Sequence, residues 1–428
     1  MPLIVESLDA LEILDSRGHP TLQATCRLSG GFEATAQVPS GASTGRAEAV
    51  ELRDGDPARH AGRGCLKAVR SVTDEIAGRI VGAEWKDQRA LDEALVALDG
   101  TANKSRLGAN AILGVSLAFA RADARRRGLP LYQHFAQMAG NDRPALPRLT
   151  VNLFSGGRHA GGQVAIQDVL LVPVEASSIR SGLDQVCAVY RAAAEITRSR
   201  YGARALVADE GGLAPPFPNS NAMLEDAVRA IESAGFVPGR QIALAVDVAA
   251  SHFFDAGRYR LDGKQLTSEQ MIEQLMGWRT RFPIVSFEDG LAEEQWEAWP
   301  GLCKALTPGT IVLGDDLLCT HPARIQRAID ARAATALLLK VNQIGTLSEA
   351  LDARDRARQA GWSVTVSARS GETEDDWLAD LAVGWRGDCI KVGSVTRSER
   401  LSKYNRLLAI EAELELDRDR RRQPGRAS

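Results

Sequence analysis

The segment ALLLKVN at residues 336–342 joins a short apolar run to a charged residue, Lys340, placed directly at its end. Similar runs recur from about residue 149 onward, with helical stretches between them. An apolar run of four to eight residues between helices is typical of a strand buried on both faces. The other runs are QDVLLVP (167–173), ARALVADE (203–210), QIALAVD (241–247), PIVSFED (283–289), TIVLGD (310–315), WSVTVSA (362–368) and DCIKVG (388–393).

Eight such runs separated by helices predict an α/β fold with a (β/α)8 barrel. Before them, residues 3–38 alternate short apolar runs with Gly and Pro, which predicts an antiparallel meander. Residues 64–138 are helical in pattern, most clearly over 107–127. We therefore predict an α+β capping domain at 1–137, the barrel at 138–417 and a basic, flexible tail at 418–428.

The bulk composition excludes several classes of protein. The 428 residues carry a formal net charge of −3, which gives no electrostatic reason to bind nucleic acid or an anionic membrane. No apolar stretch approaches the ~18 residues of a membrane span, and the N-terminus lacks the pattern of a signal peptide. We expect a cytoplasmic enzyme.

Seven of the eight runs end at or next to a charged side chain. Active sites of (β/α)8 barrels are built from the carboxyl ends of the strands. One such charge is more often a solvated or ion-paired group, but seven at successive strand ends indicate an active site. Two of the chain's eight lysines lie there. The seven residues are Glu210, Asp247, Glu288, Asp315, Lys340, Arg369 and Lys391.

Three of these residues, Asp247, Glu288 and Asp315, form a candidate metal site. We expect them to converge without His or Cys, and all-oxygen ligation in an open site favours Mg²⁺ over Ca²⁺. The alternative is that the acids merely pair with the lysines. Against it, three carboxylates around one point repel strongly unless a cation lies between them.

The lysines suggest that a proton is removed next to a carboxylate. Metal ions can stabilise the resulting dianionic enediolate while a neutral lysine takes the proton. Mg²⁺ and a second lysine would lower the pKa of that base. Glu210, flanked by glycines that let substrate approach, is the candidate acid. Arg369 and Ser370 suit a phosphate or phosphonate, and the Gly-rich loops 38–45 and 155–162 are suited to closing the site.

The sequence resembles the enolase family over nearly its whole length. The segments that carry the resemblance are EILDSRGHPT (12–21), VPSGASTG (38–45), EAVELRDGD (48–56), LGANAILGVSLA (107–118), VADEGGLAPP (207–216), ALAVDVAAS (243–251), PIVSFED (283–289), GDDL (314–317), LLLKVNQIGTLSEA (337–350), SARSGETED (367–375) and IKVGSVTRSERLSKYNRLL (390–408).

This resemblance implies a lid lobe on a modified barrel, two Mg²⁺ ions and a homodimer or higher homo-oligomer. The first ion would bind the three carboxylates, and the second would bind Ser43 and the substrate's phosphate. Lys340 would be the base, Lys391 would bind the substrate carboxylate, and Glu210 would be the acid. Asp168 would be the partner of that acid. The remaining positions implied to line the site for a small phosphorylated or phosphonylated carboxylic acid are His159, Gln167, Ala368, Arg369 and Ser370.

Six positions depart from the family pattern, while the three carboxylates, both lysines and the Arg–Ser pair are retained. The departures are Asp168 for a glutamate, Ala368 for a histidine near the departing hydroxyl, Ser155 for an asparagine, Gly162 for an asparagine, Gly290 for a proline and His19 for an asparagine. We infer that these changes gather around the acid side and the closing loops.

Three interpretations follow. The first is an ordinary glycolytic enolase acting on 2-phosphoglycerate. The second, which we favour because a His-to-Ala change beside the chemistry conflicts with efficient glycolysis, is a specialised paralogue. The known kind that fits best is the enolase-like carboxyphosphonoenolpyruvate synthase of phosphonate biosynthesis. The third is a non-catalytic enolase-like binding protein, and the retained lysines and carboxylates argue against it.

Overall fold

A three-stranded antiparallel meander and five helices form the N-terminal lobe of the computed structural model, which describes residues 3–42, 45–141, 143–203 and 206–422. The meander confirms the prediction for residues 3–38, and in β2 every second side chain is buried because successive residues face opposite sides of a sheet. The elements are β1 (Val5–Leu14), β2 (Pro20–Leu28), β3 (Phe32–Gln37), α1 (Leu66–Arg70), which continues through a π-helical turn (Ser71–Ile76) into α2 (Ala77–Ile80), then α3 (Gln88–Asp99), α4 (Ala109–Arg126) and α5 (Leu131–Met138).

The second part of the chain forms a closed eight-stranded barrel surrounded by helices. Its elements in chain order are β4 (Arg148–Ser155), β5 (Asp168–Pro173), α6 (Ile179–Tyr201), α7 (Ser220–Ser233), β6 (Ile242–Asp247), a small meander of β7 (Phe254–Asp255), β8 (Arg258–Leu261) and β9 (Lys264–Leu266), α8 (Ser268–Arg281), β10 (Ile284–Glu288), α9 (Trp299–Leu306), β11 (Ile311–Gly314), α10 (Pro322–Ala331), β12 (Ala336–Leu339), α11 (Val341–Ile344), α12 (Leu347–Gln359), β13 (Ser363–Ser367), α13 (Trp377–Gly384), β14 (Cys389–Lys391) and α14 (Ser398–Arg422).

The α/β barrel prediction is confirmed, but one of its eight strands was assigned to the wrong segment. The strand expected at 203–210 is absent from the described part of that run, where Leu206 is 69% exposed and Val207 forms only an isolated bridge with Leu213. The missing strand is β4, which pairs with β14 on one side and β5 on the other. Its polar residues Thr150 and Asn152 break the apolar run, so the pattern did not reveal it.

Strand β5 runs antiparallel to both of its neighbours, β4 and β6, whereas the other barrel pairs are parallel. Its first residue therefore lies at the same rim of the barrel as the last residues of the parallel strands. This reversal brings the start of β5 to the end of the barrel where active sites are built.

Helix α4 joins the lobe to the barrel. It packs against β2 and β3 on one side and approaches α11 and α12 of the barrel on the other. Fourteen of its eighteen residues are buried, as expected for a helix that is apolar all round.

The C-terminal helix α14 continues to Arg422, so residues 418–422 of the predicted tail are helical, and residues 423–428 lie outside the described residues. Within the described ranges, no helix combines the length and the apolar character that a bilayer crossing requires.

Gly114 marks the closest approach of α4 to the meander. A Cβ atom there would lie 3.1 Å from both Ala24 Cβ and Leu22 Cδ2. We expect Gly114→Val to lower the free energy of unfolding by about 1–3 kcal/mol through overpacking, measured by denaturant titration. Gly78→Val in α2 is the matched control, since a Cβ there meets no atom within 4 Å. Equal destabilisation by the two changes would contradict this account.

Candidate active site

The predicted site residues lie along one rim of the barrel. Ser155 of β4 lies opposite Asp168 of β5, and Asp168 lies opposite Asp247 of β6. Glu288 of β10 in turn lies opposite Asp247. One row of residues across four neighbouring strands therefore carries three carboxylates and a hydroxyl, and the reversal of β5 is what places Asp168 in it.

Lys391, at the end of β14, connects two of these carboxylates. Its Nζ lies 2.9 Å from Asp247 Oδ2 and 2.8 and 2.7 Å from the two carboxylate oxygens of Glu288. Gln167 Nε2 donates to the same Asp247 oxygen at 3.1 Å. All four side chains are buried, so these contacts form out of reach of bulk water.

Burial and repulsion between acids make it unfavourable for all of the carboxylates in this group to be ionised at once. Burial and the neighbouring Asp247 raise the pKa of Glu288 well above its usual range, and Asp315 adds to the effect. Burial lowers the pKa of Lys391, but Asp247 and Glu288 outweigh it and hold that pKa well above the ordinary lysine value. One ammonium does not satisfy all of the acids, and such a group attracts a further cation.

Lys340, which directly follows β12, pairs with Asp315, which directly follows β11. Gln343 Nε2 donates to the other Asp315 oxygen at 2.9 Å. Burial and the positive charges of Arg369 and Lys391 lower the pKa of Lys340, but Asp315 outweighs them and the pKa is raised. Lys391 acts in the direction that the sequence predicted, Asp315 faces the ammonium directly, and the expected contribution of Mg²⁺ to this pKa stays a prediction.

The donor set fits a hard cation, although the two lysines pair with the acids as well. Asp247, Glu288 and Asp315 are each less than 9% exposed and offer only oxygen ligands. Within the described residues, the ligand atoms of this trio do not all lie within 4.8 Å of one another. Lys391 lies against two of its members and Lys340 against the third, which keeps the carboxylates apart. Ser43, the expected ligand of a second ion, lies outside the described residues.

Two other groups of side chains do have ligand atoms that all lie within 4.8 Å of one another. One contains Asp289, Asp315 and Asp316, and the other contains His159, Asp168 and Glu210. Sequence analysis missed Asp289 and Asp316, although both stand in the quoted motifs PIVSFED and GDDL. The Asp289 carboxylate accepts from the backbone N–H groups of Asp315 at 3.0 Å and Asp316 at 2.7 Å, so it fixes the turn that presents Asp315.

On the opposite side of the mouth, His159 lies between two carboxylates. Its Nδ1 is 2.9 Å from Asp168 Oδ2, and its Nε2 is 3.8 Å from Glu210 Oε1. Ser155 Oγ donates to the other Asp168 oxygen at 2.5 Å, and Asn152 Nδ2 donates to Glu210 at 3.1 Å. The 3₁₀ turn Gly157–Ala160 of the loop 155–162 carries the imidazole into this position.

The two carboxylates favour a protonated imidazole in this group. Burial lowers the pKa of His159, but Asp168 and Glu210 outweigh it and raise the pKa to about 9. Burial raises the pKa of Glu210, but His159, Arg400 and Lys391 outweigh it and lower the pKa to about 2. Glu210 as the acid stays a prediction, and this geometry adds His159, which faces Glu210, as a second candidate for that role.

Glu210 lies in a turn rather than at a strand end, and its glycines serve packing. Gly211 has φ +87°, and a Cβ there would lie 2.5 Å from Thr396 Oγ1. A Cβ on Gly212 would lie 2.4 Å from Ser155 Oγ. These glycines let the turn close against β4 and the segment after β14, and the expectation that they let substrate approach stays a prediction.

Arg369 is held by a residue that sequence analysis did not single out. Its Nη1 and Nη2 bind the two carboxylate oxygens of Glu48 at 3.0 and 3.2 Å, and Nη1 also donates to Asn342 Oδ1 at 2.9 Å. The neighbouring Ser370 Oγ accepts from the backbone N–H of Ala42 at 3.2 Å. Buried Arg400 of α14 fixes this loop by donating to the carbonyl oxygens of residues 369 and 370 at 2.7 and 2.6 Å.

The departures from the family pattern do not all gather at the site. Ser155 and Asp168 touch each other at the mouth, and Ala368 is buried directly before Arg369. His19 instead contacts Arg63 within the lobe. Gly290 packs outside the barrel, where a Cβ would lie 2.8 Å from Leu275 Cδ1. Gly162 lies in the loop after His159 with φ +79° and open space around it.

Comparison with sequence families covers both parts of the chain. Residues 5–135 match the model described as the N-terminal domain of enolase, and residues 143–419 match the C-terminal TIM barrel domain of enolase. The chain belongs to the enolase family. The match to a TIM barrel domain agrees with the closed eight-stranded barrel of this structure.

The pKa of His159 gives a direct test of the acid side. With no divalent cation added, its ring should stay protonated at pH 7 and titrate near pH 9, as followed by NMR of ring-labelled histidine. Because this pKa is raised above that of the unfolded chain, its stabilising contribution is complete below pH ~6.5 and is lost as pH rises through 9.

His252 is the internal control for this measurement, since burial lowers its pKa to about 4 and it should be neutral at pH 7. Asp168→Asn should lower the pKa of His159 by about one unit or more, because it removes the closest negative charge. A neutral His159 ring at pH 7 in the unaltered protein would contradict the assignment.

Proposed function

We propose that this enolase-family protein is a Mg²⁺-dependent lyase that takes the C2 proton from 2-phosphoglycerate or a phosphonate analogue and forms an enolpyruvate product. The best candidate is a specialised paralogue of the carboxyphosphonoenolpyruvate synthase type, acting in phosphonate biosynthesis. The observation that carries this proposal is the contrast between the two sides of the mouth. The lysines and carboxylates of one side are retained, whereas the other side is rebuilt around Ser155, Asp168 and His159.

On the retained side, Lys340 is the base and Lys391 binds the substrate carboxylate. Arg369 and Lys391 favour a neutral Lys340, and Asp315 opposes it. Asp247, Glu288 and Asp315 would hold a divalent cation, which would offset the charge of Asp315 and supply positive charge for the enediolate. Both lysines are buried. Exclusion of water from this region protects a carbanionic intermediate from premature protonation.

On the rebuilt side, we assign the proton for the departing group to His159. Asp168 and Glu210 hold the imidazole from both ring nitrogens, so its proton is available at neutral pH. The family's histidine on this side is replaced by Ala368, and an alanine can neither donate nor accept a proton. Losing one methylene at Asp168 retracts that carboxylate by roughly 1 Å, a displacement that can cost about 10²-fold in rate.

The rebuilt positions also fit one another, which supports specialisation rather than decay. Ser155 Oγ donates to Asp168 and packs closely over Gly212, so two departures from the family form one hydrogen-bonded unit. A larger substituent on the substrate's phosphorus would use the space that the missing imidazole leaves. The homodimer and the second Mg²⁺ ion, with Ser43 as its ligand, remain predictions from the resemblance.

Proton exchange at C2 of 2-phosphoglycerate separates the proton-abstracting half from complete turnover. In D₂O with Mg²⁺, we expect exchange at C2 by NMR with little phosphoenolpyruvate formed, because the base side is retained and the acid side is altered. Lys340→Ala should reduce exchange by at least about 10²-fold. Lys264→Ala, in the exposed β9 of the small meander, is the matched control and should exchange normally.

Three outcomes decide between the interpretations. Normal formation of phosphoenolpyruvate would identify an ordinary enolase. Absence of both exchange and Mg²⁺ binding would leave a non-catalytic binding protein. Exchange that survives in Lys340→Ala would remove that residue as the base.

Restoring the family residues on the acid side should recover ordinary enolase activity. We expect Ala368→His combined with Asp168→Glu to raise turnover of 2-phosphoglycerate by about 10-fold or more, since each returns a group near the departing hydroxyl. His19→Asn restores a family residue far from the mouth and is the control, with no gain expected. No gain in the double variant would place the specialisation elsewhere.

A further inference from the structure

Glu48 of the N-terminal lobe reaches into the barrel mouth and contacts two groups there. Its Oε1 accepts from Gly45 N at 3.0 Å and from Arg369 Nη2 at 3.2 Å, and its Oε2 accepts from Arg369 Nη1 at 3.0 Å. The Glu48 and Arg369 side chains are 7% and 3% exposed. This is a buried, forked ion pair between the lobe and the loop after β13, and the sequence contained no signal for the pairing.

Gln343 extends this contact to the metal-binding side. Its Nε2 donates to Asp315 Oδ1 at 2.9 Å and lies 3.4 Å from Glu48 Oε1, while its Oε1 accepts from Thr320 Oγ1 at 2.8 Å. The amide therefore stands between two carboxylates, with a hydrogen for each. The Gln343 side chain is fully buried, and the backbone carbonyl oxygen of Gln343 accepts from the backbone N–H of Ala49, the residue after Glu48.

We propose that Glu48 is the positioning residue of the anion site: it neutralises and orients Arg369 for a phosphoryl or phosphonyl group and, through Gln343, fixes Asp315. The assignment rests on the proposed function, in which Arg369 binds that group and Asp315 is a metal ligand. The carboxylate supplies the counter-charge that a buried guanidinium requires, and its two oxygens set the plane of the guanidinium fork.

The negative charge of Glu48 affects the binding of an anion at Arg369 and the binding of a cation at Asp315 in opposite directions. A carboxylate in contact with Arg369 reduces the attraction of the guanidinium for an anion, and the same negative charge near Asp315 favours a cation. Removing the charge while keeping the shape should therefore strengthen anion binding and weaken metal binding. A residue that only stabilised the fold would weaken both together.

The test is calorimetric titration of the full-length protein with inorganic phosphate and, separately, with Mg²⁺. In Glu48→Gln we expect phosphate to bind about 10-fold more tightly, because the guanidinium loses its counter-charge. We expect Mg²⁺ to bind about 10-fold more weakly, as is usual when the partner of a metal ligand is altered. Glu48→Asp keeps the charge and should return the phosphate affinity to within about 3-fold of the unaltered protein.

Glu349→Gln is the matched control. Glu349 pairs with Lys104 at 2.8 Å in another ion pair between the barrel and the lobe. It should change neither affinity by more than about 2-fold.

The outcomes separate this inference from the proposed function. Phosphate binding that is unchanged or weaker in Glu48→Gln overturns the role of Glu48 alone. Absence of phosphate binding by the unaltered protein overturns the assignment of Arg369, and this inference with it. If Glu48→Gln fails to fold, Glu48→Asp provides the test, because it keeps the negative charge. A phosphate affinity that changes in Glu48→Asp by the roughly 10-fold expected for loss of the charge would overturn the proposal.

Discussion

Compensation of buried negative charge is the constraint on which the rest of this structure depends. The rim of the barrel brings Asp247, Glu288 and Asp315 into a dry environment, where charges repel far more strongly than in water. Lys391 and Lys340 balance part of that charge, and each lies at the end of a strand that the barrel's closure places beside an acid. The fold thus assembles acids and lysines that would each be unfavourable when buried alone.

Strand direction distributes these charges between two sides of the mouth. Because β5 is antiparallel, its first residue, Asp168, joins the row formed by the ends of its neighbours. The Asp168 carboxylate contacts one ring nitrogen of His159, and the other ring nitrogen faces Glu210. One side of the mouth therefore concentrates acids around ammonium groups, and the other holds an imidazole between two acids that raise its pKa.

The sequence predicted the parts of this arrangement that depend on the pattern of apolar residues and on which residues follow each apolar run. Apolar runs identified seven of the barrel's strands, and the charges that follow six of these runs identified the residues at their ends. The same criterion placed a strand at 203–210 and overlooked β4, because Thr150 and Asn152 interrupt its apolar pattern. Proton location could not be predicted either, since the pKa values of His159 and Glu210 depend on distances across the mouth. The Glu48–Arg369 pair joins residues 321 positions apart, which no local pattern records.

Helix α4 has a consequence for how such a chain can be divided. It is buried almost completely, with β2 and β3 against one flank and α11 and α12 against the other, and α11 starts immediately after Lys340. The two halves that family comparison recognises are therefore not separable modules. A gene fragment encoding the barrel alone would expose an apolar wall beside Lys340, so this chain is expected to fold as a whole rather than as two halves.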